Sequence, residues 1–130
     1  MAIDLAKINS ANLTALYVVP PNMRYGYTGH GIMPVFPGPL KEVLDIAVEK
    51  GKSYVDQVKK IGSDKNVTVQ TVVVVGEGSV SKEISEYAED HKIDLIVVGT
   101  RGMTGIKKML LGSTASDIVT YAHCPVLVIK

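Results

Sequence analysis

An α/β fold, an open parallel sheet with helices on both faces, is predicted by three observations. Apolar runs rich in β-branched residues recur along the chain, segments with helical spacing separate them, and a proline- or glycine-rich connection follows three of them. Strands that alternate with helices imply right-handed parallel crossovers within one sheet.

Leu13 to Val19, Val67 to Val75 and Leu95 to Val98 are continuous and β-branched rather than alternating, the pattern of strands covered on both faces. Val126 to Ile129 is a fourth run and closes the chain. Leu40, Val43, Leu44, Ala47, Tyr54, Val55 and Val58 repeat at threes and fours, as do Val80, Ile84, Tyr87 and Ala88, which predicts two amphipathic helices. A further helix is read from Ile118, Val119 and Ala122. At 130 residues and 46% hydrophobic side chains the chain is expected to form a single domain over 1–130.

In such sheets ligands bind beyond the carboxyl ends of the strands, so the segments after Val19, Val75 and Val98 carry the functional argument. Pro20 to Pro39 holds five of the six prolines and four of the twelve glycines. It reads as a long loop: a lid, a partner contact and a plain surface excursion are all compatible with it. Gly76-Glu77-Gly78-Ser79 reads as a tight strand-to-helix turn with Ser79 as cap of the next helix.

Val98 leads into Gly99-Thr100-Arg101-Gly102, and the segment ends at Gly112-Ser113-Thr114 at the start of a helix. A phosphate needs backbone N–H groups converging on one point with no Cβ in the way, and glycine gives both close approach and unusual dihedrals. Gly99 and Gly102 can form one side of such a cradle. Gly112, Ser113 and Thr114 lie where unpaired N–H groups and the positive end of a helix favour an anion. Ser113 can donate its hydroxyl, and it is equally suited to be a helix N-cap. Arg101, Lys107 and Lys108 can screen phosphate charge or form a solvated face.

The spacing Gly99-x2-Gly102-x9-Gly112-Ser113 resembles the signature of ATP-binding universal stress proteins, and Ile93 to Gly99 and Cys124 to Ile129 are also similar to that family. The resemblance runs from Ala2 to Lys130, apart from the individual Pro/Gly segment. It implies a Rossmann-like sheet of order 3-2-1-4-5 and a homodimer through antiparallel pairing of the last strands. It also implies ATP as ligand, with magnesium as an accompanying ion. By position, Gly102, Gly112 and Ser113 would line the phosphates and ribose, Val98 and Gly99 would sit near the nucleoside, and Val18 would contact adenine. Ala2 to Lys7 resembles the second half of the family's first helix, so the family's central first strand and its acidic residue are expected to be missing. Three accounts of that gap are a trimmed longer protein, direct pairing of the strands flanking the gap, and a strand exchanged with another subunit; trimming is favoured.

Fourteen basic and thirteen acidic residues leave a formal charge of +1, which gives no general attraction to nucleic acid or anionic membranes. Cys124 is the single cysteine, so a disulfide framework is excluded and a reducing, cytoplasmic setting is expected. Cys124 suits a small apolar packing position, and His30, His91 and His123 are too scattered for a metal site. The functional expectation is a dimeric, nucleotide-dependent stress-response module with an unidentified protein partner. A slow ATPase or autophosphorylating enzyme using Ser113 or Thr114, and a dimeric module without ligand, are the alternatives. No catalytic base is evident for the former. The apolar run Val126 to Ile129 is the expected dimer edge.

Overall fold

A computed structural model describes residues 1–20, 25–28, 31–34, 37–100 and 111–130. The chain divides into two compact units, Met1–Glu77 and Gly78–Lys130.

The first unit opens with α1 (Ala2–Asn9), which stops where Ser10 adopts a left-handed backbone at φ 51°. Strand β1 (Leu13–Val18) follows, and its parallel partner is β4 (Val69–Val74), in register from Leu13 opposite Val69 to Val18 opposite Val74. The link between them is a crossover of the kind parallel strands require. It contains a short antiparallel pair, β2 (Tyr25–Thr28) with β3 (Gly31–Pro34), and the long helix α2 (Pro37–Asp64). Helix α2 packs on both β1 and β4, and α1 packs on β1. Ala6, Val67 and Val69 form a buried cluster, with Ile3, Leu13, Ala15 and Val58 packed around it.

In the second unit α3 (Val80–Asp90), β5 (Ile96–Gly99), α4 (Ser113–Tyr121) and β6 (Val126–Ile129) repeat the alternation. Strands β5 and β6 pair in parallel from Ile96 opposite Val126 to Gly99 opposite Ile129. Helices α3 and α4 pack together, and Ala88, Ile96 and Ile118 form the core with Ile84, Ile93, Val98 and Val126 around them. Cys124 packs against this cluster, in keeping with a small apolar role. No described helix is long and apolar enough to cross a membrane.

The α/β class with parallel strands is the one expected, and the four strands fall within a residue or two of the runs that predicted them. Pro20 to Pro39 is not a loop throughout. It contains β2 and β3, and α2 starts at Pro37, three residues before Leu40. Tyr25, Tyr27 and Ile32 favour extended backbone, and proline is tolerated in a first helical turn because the N–H it lacks has no intrahelical partner there. Proline and glycine content outweighed those signals in the sequence. Each parallel pair, β1 with β4 and β5 with β6, lies within its own unit.

Candidate functional site

The second unit brings the two ends of the glycine-containing segment together. Strand β5 ends at Gly99, and the N–H of Thr100 continues the ladder by donating to the Ile129 carbonyl at 2.7 Å. The Thr100 carbonyl in turn accepts the N–H of Gly112 at 2.8 Å. The carboxyl end of β5 is therefore bonded directly to the residue that starts α4.

Gly112 is the N-cap of α4, with φ −67° and ψ 154°, and as glycine it brings no side chain to cap the helix start. The Gly112 carbonyl accepts the Ser116 N–H at 2.9 Å, the first rung of the helix. The amides of Ser113, Thr114 and Ala115 are the three that the helix geometry leaves without an intrahelical acceptor. Ser113 is exposed, Thr114 is half-buried and Ala115 is buried, so the opening of the turn faces solvent on the Ser113 side. Amides without an intrahelical acceptor and the positive helix end make this turn suited to an anion.

Two roles differ from the sequence reading. Gly112 holds an ordinary extended conformation, so no unusual dihedral requires glycine there; its remaining advantage is the absence of a Cβ. Its N–H is already bonded to Thr100 and is not a free donor. Thr100 was not singled out from the sequence, because it acts through its backbone and no side-chain signal marks that. Gly99 and Val98 sit at the end of β5, Val98 against the core of the second unit. Val18 ends β1 in the first unit and is 5% exposed. Gly102, Arg101, Lys107 and Lys108 lie outside the described residues.

The remaining candidates fall elsewhere. Ser79 is the N-cap of α3, as expected. His91 stacks on Tyr87 with ring centroids 3.9 Å apart and its Nδ1–H donates to the Tyr87 carbonyl at 2.9 Å, which makes it a helix-terminal group. His123 is exposed and His30 lies outside the described residues. No group of three potential metal ligands occurs among the described residues. A groove of about 440 Å³ between α3 and α4 is lined by Ser79, Ser81, Ser85 and Asp117 among others, and contains none of the anticipated site residues.

The sequence matches the Universal stress protein family over residues 1–130. The chain belongs to the universal stress protein family. Among universal stress proteins it is 39% identical over 129 residues to universal stress protein MJ0531 of Methanocaldococcus jannaschii, an alignment that covers 99% of this chain and 71% of that protein. The structure of universal stress protein UspA from Lactobacillus plantarum superposes with a TM-score of 0.83 at 32% identity, covering 99% of this chain and 84% of that one. The universal stress protein from Archaeoglobus fulgidus, solved in complex with dAMP, shares the fold at a TM-score of 0.59 and 19% identity, covering 99% of this chain and 82% of that one.

Proposed function

We propose that this universal stress protein binds an adenine nucleotide, ATP foremost, with its phosphates at the first turn of α4, and that occupancy is the signal it passes to a partner. The observation that carries the reading is the start of α4, with a glycine as its N-cap, bonded through Gly112 to the carboxyl end of β5. Three amides with no helical acceptor, an exposed Ser113 hydroxyl and a glycine without Cβ make a fitting surround for phosphate oxygens. The complete Gly99, Gly102, Gly112, Ser113 spacing supports the same reading. A family member solved with dAMP supports the choice of an adenine nucleotide. Val18 and Val98 are proposed as nucleoside contacts on the family likeness alone, and magnesium as the phosphate counter-ion. Val126 to Ile129 is proposed as the strand through which two copies pair, since an apolar edge of that kind tends to be covered.

Calorimetric titration of ATP, with and without magnesium, into the intact chain and a Gly112→Val variant tests the site. The extended backbone at 112 is one that valine adopts, so the variant is expected to fold, with a weaker helix cap, and to lose binding. Equal binding by both chains overturns the assignment to α4, and no binding by the intact chain overturns the nucleotide reading.

A further inference from the structure

Thr100 is the one described residue that is bonded at once to the last strand and to the start of α4. Its N–H reaches the Ile129 carbonyl at 2.7 Å, and its carbonyl receives the Gly112 N–H at 2.8 Å. Gly112 then accepts the Ser116 N–H at 2.9 Å, so an unbroken series of backbone bonds runs from the end of β6 into the helix ladder of α4. Only the two dihedrals of Thr100 separate the first bond from the second, and its amide is fixed by the β5–β6 pairing, which ends at Gly99 opposite Ile129. The direction of α4's first turn is thereby referred to the carboxyl-terminal strand.

We infer that Thr100 is the positioning residue of the phosphate cradle, and that through it the end of β6 controls nucleotide affinity. This rests on the nucleotide reading above. Amides at a helix start favour an anion most when they are held in place beforehand, so that no ordering is needed at the moment of binding. If Ile129 withdraws its carbonyl, Thr100 loses its anchor, the Gly112 bond weakens, and the cradle must be ordered by the ligand itself. Linkage requires the reverse as well: phosphate at the first turn of α4 steadies Thr100 and hence the end of β6. The strand proposed to pair two copies and the site proposed to hold the nucleotide are thus joined through Thr100, and events at either are felt at the other.

The test compares the intact chain with two shortened forms. Removing Lys130 alone leaves the Ile129 carbonyl oxygen in place as part of a carboxylate; removing Ile129 and Lys130 deletes the acceptor. Hydrogen exchange of the Thr100 and Gly112 amides is followed without ligand, and affinities for ATP and for adenosine are measured by calorimetry. In the shorter form both amides are expected to exchange about tenfold faster, and ATP to bind about tenfold more weakly, as for one hydrogen bond lost, with adenosine affinity unchanged. The Lys130 deletion keeps an acceptor for Thr100 and is expected to retain the Thr100 and Gly112 protection of the intact chain. Gly112 protection that survives loss of Ile129 overturns the inference, as does an equal weakening of ATP and adenosine, which a merely structural effect would produce. If lost protection at Ile118 shows that the shorter form unfolds, Thr100→Pro removes the same hydrogen bond at full length and must give the same faster exchange at Gly112 and the same weakening of ATP with adenosine affinity unchanged. An intact chain that binds neither compound overturns the nucleotide reading and the affinity part of this inference together; the exchange data then decide the Ile129–Thr100–Gly112 connection by themselves.

Discussion

Gly51 of α2 faces the ring of Tyr17 on β1 so closely that a Cβ at position 51 would stand 2.5 Å from Cδ1 and 3.0 Å from Cε1. The ring has little room to yield, because the Tyr54 ring lies 5.6 Å away, centroid to centroid, and Val73 Cγ1 would be 3.2 Å from the same Cβ. Gly51 therefore sets how near α2 lies to the parallel pair, against the ordinary preference of helices for alanine. Gly51→Ala is expected to lower stability by about 1 kcal/mol, the overpacking loss of about 2 kcal/mol being offset by about 1 kcal/mol of helix propensity. Urea unfolding measures it, and a variant as stable as the parent would show that Tyr17 can move aside.

Gly62, three turns further along α2, is the stricter case. A Cβ there would stand 2.9 Å from the Val67 carbonyl oxygen and would meet the Val69 side chain. Backbone cannot rotate away as a side chain can, and the Gly62 carbonyl is itself bound by the N–H groups of Lys65 at 3.0 Å and Val67 at 2.8 Å. Gly62→Ala is expected to cost about 2–3 kcal/mol, more than Gly51→Ala, because shifting the turn also moves Val67 and Val69 of the first unit's core. The ranking of the two variants in the same urea series checks this, and the reverse order would refute it.

Neither glycine was distinguishable in the sequence, since both sit inside a helical repeat where glycine reads only as a weak helix former. The strands were legible because β-branched runs such as Val69 to Val74 carry their own signal, and α3 was legible from Val80, Ile84, Tyr87 and Ala88. The pair β2 and β3 was hidden by prolines and glycines that suit a loop equally well. At the candidate site, the motif glycines and Ser113 were read from spacing, whereas the Thr100 connection depends on two carbonyls and two amides that any residue carries. Side-chain chemistry is written in the sequence; backbone bonding between distant segments appears only once the register of β5 and β6 is known.

Asp4 of α1 accepts a hydrogen bond from the Lys65 ammonium at 2.6 Å, and the amino terminus lies 3.2 Å from its other oxygen. The Lys65 bond first, and then the amino terminus, hold the Asp4 carboxyl below its ordinary value of 3.8. A carboxyl depressed in the folded state adds stability above its unfolded value, about 3.9, and that addition fades as pH falls through the lower folded value. Carbon-detected NMR titration is expected to place Asp4 below its ordinary 3.8, and Lys65→Met to move it upward. An Asp4 titration unmoved by Lys65→Met would mean that the amino terminus alone accounts for it. Both partners are about half exposed, so salt should weaken the effect.

Ser79 and Glu83 close the amino end of α3 from both sides. The Ser79 hydroxyl oxygen accepts the Lys82 N–H at 3.2 Å, while the Glu83 carboxylate accepts the Gly78 N–H at 2.8 Å. Glu83 also lies in the first helical turn, where a negative charge is favoured by the helix dipole. Ser79→Ala is expected to cost about 1 kcal/mol, and Ser79→Gly only a few tenths, because glycine lets water reach the exposed amides. Glu83→Gln keeps the hydrogen-bond acceptor and loses the charge, so its loss should be the smaller part of that seen for Glu83→Ala, and it should shrink as salt is raised. Thermal unfolding of the four variants at low and high salt separates the contributions. If Ser79→Ala were as stable as the parent, the capping bond would not be what holds this turn, and the Gly78 bond to Glu83 would have to carry it.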